Sequence, residues 1–195
     1  MYRRNFLGLL FPAALAAQNT SLQPAQPVGT PLSTIIGFGD QYNGGDELYD
    51  ARITVLEIVR GPKALDVVRR ASRYNASPAN GAEYLLARVR FEFSARTTPH
   101  HYSYALAPSQ FSALSATGKD YDPPSIAAMP EPSLRANLQP GDSAEGWLVF
   151  AVPQSDRKPL MLFRADVGSV IHEGGGSYFQ LYGREATSST KAKPR

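Results

Sequence analysis

The stretch from Tyr84 to Ser94 restricts the fold more than any other part of the chain. Leu85, Ala87, Val89, Phe91 and Phe93 alternate there with Leu86, Arg88, Arg90 and Glu92. Successive side chains of a strand point to opposite faces, so a period of two predicts a strand with one face in a core and the other largely wet. The run Trp147-Leu148-Val149-Phe150-Ala151-Val152 is apolar without interruption, the pattern of a strand buried on both faces, and Pro153 ends it. It places Trp147 in the core.

Around these two segments the chain is punctuated by 16 Gly and 16 Pro, too many breakers for a helical bundle or coiled coil. Leu32 to Phe38 reads as an edge strand. Ala51 to Val59 is a stronger one, and its apolar phase shifts from Ile53 and Val55 to Leu56 and Ile58, which predicts a bulge or burial on both faces. Tyr102 to Leu106 and Gln110 to Leu114 read as short strands or one broken strand, and Leu160 to Ala165 and Ser177 to Tyr182 as two more strands. Between Lys63 and Arg73, Ala64, Leu65, Val68 and Ala71 recur at helical spacing behind Pro62, which suits a first turn. The Pro-rich run from Asp120 to Pro132 is a long surface loop, of a length that is uncommon unless functional or mobile. The expected fold is all-β, an immunoglobulin-like antiparallel β-sandwich of about seven strands with one short inserted helix. A closed lipocalin-like barrel is the alternative, and the lack of a fixed repeat period argues against a propeller or solenoid.

The ends read differently from the middle. Arg3 and Arg4 precede a short apolar run that closes on Ala14-Leu15-Ala16, the layout of an export signal over 1–16. Arg3-Arg4-Asn5-Phe6-Leu7 is close to a twin-arginine motif, with Sec export as the competitor. Residues 17–31 form a polar, Pro-containing leader, 32–183 the sandwich domain, and 184–195 a polar tail expected to be disordered. The apolar run is far shorter than the ~20 residues of a bilayer span. A periplasmic or secreted location follows, with no membrane span.

Charge and cysteine content narrow the function. The net charge of +3 owes two of its positive groups to Arg3 and Arg4, so the remainder is close to neutral. Nucleic acid as a partner is not expected, since the one dense basic cluster, Arg60, Lys63, Arg69, Arg70 and Arg73, reads as a solvated face. There is no cysteine, which leaves the core to stabilise the domain without disulfides and removes thiol chemistry. Asn19-Thr20-Ser21 and Asn75-Ala76-Ser77 match the N-glycosylation triplet and are not read as modified.

The segment Leu138-Gln139-Pro140-Gly141-Asp142-Ser143-Ala144-Glu145-Gly146-Trp147 through Pro153, followed by Leu160-Met161-Leu162-Phe163, resembles the closing half of the bacterial immunoprotective-extracellular immunoglobulin-like family. Gly81 to Val89, preceded by Asn75 and Pro78, resembles that family's central strand entry. The resemblance implies a secreted sandwich without established catalytic residues, over roughly 32–183.

Candidate sites are few. His100, His101 and His172 form a poor zinc set, because neighbours on a strand face opposite ways. Asp40, Asn43, Asp46, Glu47 and Asp50 miss the EF-hand spacing. No metal or other cofactor is assigned. No G-x-S-x-G elbow, P-loop or dinucleotide glycine pattern occurs, and no catalytic residue is nominated. Tyr42, Tyr49, Tyr74, Tyr102, Tyr104 and Tyr121 lie in or beside loops and form the candidate recognition surface. The expected role is a non-enzymatic module binding an envelope or extracellular protein or ligand. The alternative is a small secreted hydrolase or carbohydrate-binding domain using loop carboxylates and tyrosines.

Overall fold

The computed structural model describes residues 24–38, 47–96, 101–165 and 176–183. Residues 1–16, read above as an export signal, Tyr42, the first part of the acidic loop, His100, His172 and residues 184–195 lie outside them. The described residues form an all-β antiparallel sandwich with one α-helix. A four-stranded sheet runs in the order β1 (Leu32–Phe38), β2 (Glu47–Arg60), β3 (Ala82–Ala95) and β7 (Ser143–Pro153). Facing it are a three-stranded sheet of β5 (Phe111–Leu114), β8 (Leu160–Phe163) and β9 (Ser177–Gln180), and the pair β4 (Tyr104–Leu106) and β6 (Ala136–Leu138). Among the described residues nine strands thus stand where about seven were expected. The main addition is β6, three residues with no period of their own that become a strand by pairing with β4.

The core lies between the sheets. Ile53, Val55, Leu85, Phe91, Leu148 and Phe150 meet Phe111, Met161, Phe163 and Phe179 there. The phase shift in β2 is a bulge: Val55 pairs with Val89 and Glu57 with Arg88, leaving Leu56 as the extra residue. Beyond it Ile58 turns to the core and Val59 to the opposite face.

That opposite face is not uniformly wet. Tyr84, Leu86 and Val149 are buried there under helix α1 (Pro62–Ala71), which inserts Ala64 and Val68. Gly61 enters the helix at φ +69°, a conformation glycine adopts without strain. Trp147 belongs to this outer cluster and is only partly buried, which corrects its placement in the core. The cause is strand parity: Leu148, Phe150 and Val152 face inward, so Trp147, Val149 and Ala151 face outward. Farther along the sheet the outer face is charged, with Arg88 and Arg90 sharing Glu145 at 2.5 and 2.9 Å and Arg52 at 3.8 Å from Glu92. No helix among the described residues is long and apolar enough to cross a membrane.

Candidate functional site

The long Pro-rich loop becomes a strap across the outer face, pinned at three places. At its start, Asp120 bridges to Leu114 and Tyr121 N–H donates to Ala113 O at 2.8 Å. In its middle, Ile126 and Met129 pack onto the helix-side cluster. Asn75, 4% exposed, uses its whole amide there: Nδ2 donates to Val68 O (2.7 Å) and Ala128 O (2.8 Å), while Oδ1 accepts from Ala127 N–H (2.7 Å) and Ala128 N–H (3.0 Å). One side chain therefore joins the end of α1 to the strap. A fully engaged buried amide also leaves no room for a glycan, in line with the unmodified reading of its triplet.

The third anchor is the run after the cis Glu131–Pro132 bond. Trp147 N–H donates to Pro132 O at 2.7 Å, and Leu134 N–H to Trp147 O at 3.2 Å. Gly146 makes the approach possible, since a Cβ there would lie 2.5 Å from Leu134 N and from Ser133 C.

Between the first two anchors, Asp122-Pro123-Pro124 forms a wall shared by two hollows, and Ser125 extends it on the side of the first. One, of about 470 Å³, is lined by Ser77, Pro78, Asn80, Tyr84 and Pro153 together with the strap. The other, of about 450 Å³, is lined by Ser109, Phe111, Ser112, Met129 and Phe150 with Tyr121 to Pro124 of the strap. Both volumes fall in the range of small-ligand sites. Tyr121 braces the wall by donating its hydroxyl to Asp156 Oδ2 at 2.5 Å. Burial, and then the Asp156 carboxylate, push the Tyr121 phenol up to about 12, so it acts as a neutral donor. Asp156 O in turn accepts from Arg60 Nη2, and Arg60 Nε lies 2.6 Å from Glu83 Oε1. Burial likewise raises Tyr84, whose hydroxyl donates to Ala76 O at 3.1 Å. Among the described lining residues the only carboxylate is that of Asp122.

The five described tyrosines of the candidate surface do not form one surface. Tyr49 and Tyr104 are 0% exposed and belong to the core, which removes them from any recognition face. Tyr49 stacks on Phe93 and Tyr104 on Phe91, at 4.8 and 5.3 Å between ring centroids. Tyr102 is 43% exposed and stacked on Phe38 at 5.2 Å. Tyr74, 71% exposed, lies beyond α1 with the Arg73 guanidinium 4.8 Å from its ring centre. Among the five described, Tyr121 alone lines the hollows.

A polar cluster closes the Tyr102 end. Tyr49 donates its hydroxyl to Glu47 Oε2 at 2.6 Å and accepts the N–H groups of His101 and Tyr102. His101 Nδ1 lies 2.5 Å from Glu47 Oε1. The Tyr49 hydrogen bond, followed by His101, pulls the Glu47 carboxyl down to about 2. The cluster fastens residues 101–102 to the start of β2. Among the described residues no group of three His, Asp or Glu side chains is placed to hold a metal ion.

Sequence reasoning missed Asn75 as an anchor and Asp122 to Pro124 as a wall. The length of the loop was the available signal for the second; for the first, only the spatial meeting of α1 and the strap reveals it.

A search of curated proteins finds no match. Among solved structures, the ycdA protein of Bacillus subtilis subsp. subtilis str. 168, named as a proposed lipoprotein, is similar with a TM-score of 0.49 and 12% identity, covering 67% of this chain and 35% of that one. The chain thus spans about a third of that protein's length. A family model described as a domain of unknown function, DUF4352, matches residues 62–170. That match runs from α1 through the strap and β7 to just past β8, more than half of the sequence, and the chain belongs to the DUF4352 family.

Proposed function

We propose that this protein is an exported, non-enzymatic recognition module of immunoglobulin-like type, related to the immunoprotective-extracellular family, and that it binds a protein or another envelope component along the strap. The reading assigns 1–16 to an export signal, 17–31 to a leader, 32–183 to the binding domain and 184–195 to a tail, in the periplasm or outside the cell. The observation that carries it is the wall at Asp122 to Pro124, held at both ends and flanked by two hollows. Binding loops positioned by a rigid sandwich are the usual arrangement in this architecture. The linings combine proline, tyrosine and aliphatic surface with Ser and Asn groups, which suits adhesion to an extended or ring-bearing ligand. Hydrolysis by a carboxylate pair would need a second acid beside Asp122.

The test is an isotope-labelled sample titrated with solubilised envelope fractions and followed residue by residue by NMR. Shifts confined to Ser77–Ala82 and Tyr121–Ser125, and abolished by Pro124→Gly with Asp122→Ala, are expected. Shifts confined to the Phe38–Tyr102 end, or turnover of an added glycan, would defeat the proposal.

A further inference from the structure

The open edges of the sheets are treated unequally. β7 has the 132–134 segment bonded to its free side through Trp147. β9 has Gln26 beside it, with Gln26 N–H donating to Tyr178 O at 2.9 Å and Gln180 N–H to Gln26 O at 2.8 Å. β5 has Asp120 and Tyr121, the latter bonded to Ala113 O. β1 pairs with β2 over Leu32–Phe38, and no described residue bonds to its other side.

The composition of β1 adds to this contrast. Leu32-Ser33-Thr34-Ile35-Ile36-Gly37-Phe38 contains no charge and no proline, and its register with β2 is unbroken. Edge strands that must stay single usually carry a lysine, a proline or a bulge. Ser33 is exposed, and Leu32, Thr34 and Ile35 are partly so.

We infer that β1 is a pairing edge and that its partner is β1 of a second copy of this chain. Two identical strands meeting edge to edge about a two-fold axis run antiparallel, the sense of every other pairing in this sheet. The product is a continuous eight-stranded sheet. An uncharged strand faces its own copy without opposing like charges, which a charged edge would not allow. This inference uses a different surface from the strap and stands independently of the ligand proposed there.

The test is sedimentation of the purified protein over a wide concentration range, with Ser33→Lys/Ile35→Lys as the comparison. Those two positions lie on the outer face of β1, clear of Ile36 in the core. The native chain should dimerise reversibly, and the double variant should dimerise roughly tenfold or more weakly with its melting midpoint kept at low concentration. A second measurement avoids lysines. Ser33→Cys introduces the sole thiol of the chain, and a nitroxide placed on it should show close dipolar coupling in concentrated samples that fades on dilution. A native chain that stays monomeric at millimolar concentration would overturn the inference. So would a dimer unaffected by the double substitution or one without label coupling.

Discussion

The inner and outer faces of the four-stranded sheet use the same strands and end in different environments. Inward residues of β2, β3 and β7 are apolar along most of their length and meet another sheet. Outward residues divide. On β3 they read Tyr84, Leu86, then Arg88, Arg90 and Glu92; on β7, running the other way, Ala151, Val149 and Trp147, then Glu145. Register places the two changes side by side, with Leu86 opposite Val149, Arg88 opposite Trp147 and Arg90 opposite Glu145. The helix and the strap cover the apolar part and stop where the charges begin. Strand parity thus decides which face a residue takes, and the position of the apolar-to-charged change decides how far a cover extends.

The largest energetic difference between the faces is expected at Phe91, on the inner face against Tyr104 and Phe163. Phe91→Ala should lower unfolding stability by about 3–5 kcal/mol in a denaturant titration, the range for emptying a buried aromatic site. A loss as small as that of a surface change would mean that the two faces are not energetically distinct.

Asn75→Ala comes next, at about 2–3 kcal/mol, because backbone groups of the helix and strap lose a buried partner. Its signature should be local. Hydrogen exchange should quicken at Ala127 and Ala128 and stay slow in β3; equal acceleration in both would merge the cover with the core.

Trp147→Ala should cost about 1–2 kcal/mol, less than a buried aromatic, as suits a residue at the boundary of the covered half. A loss matching that of Phe91→Ala would show the boundary to be buried. Arg52→Ala, in the charged half, should change stability by no more than about 0.5 kcal/mol, since its partner Glu92 is also well exposed. Thermal melts of the two variants side by side would sharpen the line between covered and open surface.

Much of this fold was legible because strand periodicity is local. The alternation from Leu85 to Phe93, the phase shift at Leu56 and the helical spacing from Ala64 to Ala71 all have direct structural counterparts. β6 was not legible, because Ala136–Leu138 becomes a strand only through a partner thirty residues earlier. The cover on the outer face had one faint sign, Leu86 standing apolar on the side read as wet. The tyrosines show a different limit: proximity to loops in sequence does not decide exposure. Tyr49 shares the phase of Ala51, Ile53 and Val55, and Tyr104 that of Leu106, so their burial followed from parity rather than from neighbouring turns. The strap could be recognised as an unusual loop, but its central anchor, Asn75, joins segments about fifty residues apart.

The amide of Asn75 has a consequence for which sequences this fold can accept. An apolar site such as Leu86 can be refilled by side chains of similar volume at modest cost. The site of Asn75 requires two donors and two acceptor lone pairs at the reach of one methylene. Aspartate supplies no donor when ionised, and glutamine is one carbon too long. The narrowest position in the chain is therefore a polar residue beneath a surface loop, and drift there is permitted only if the helix and the strap change together.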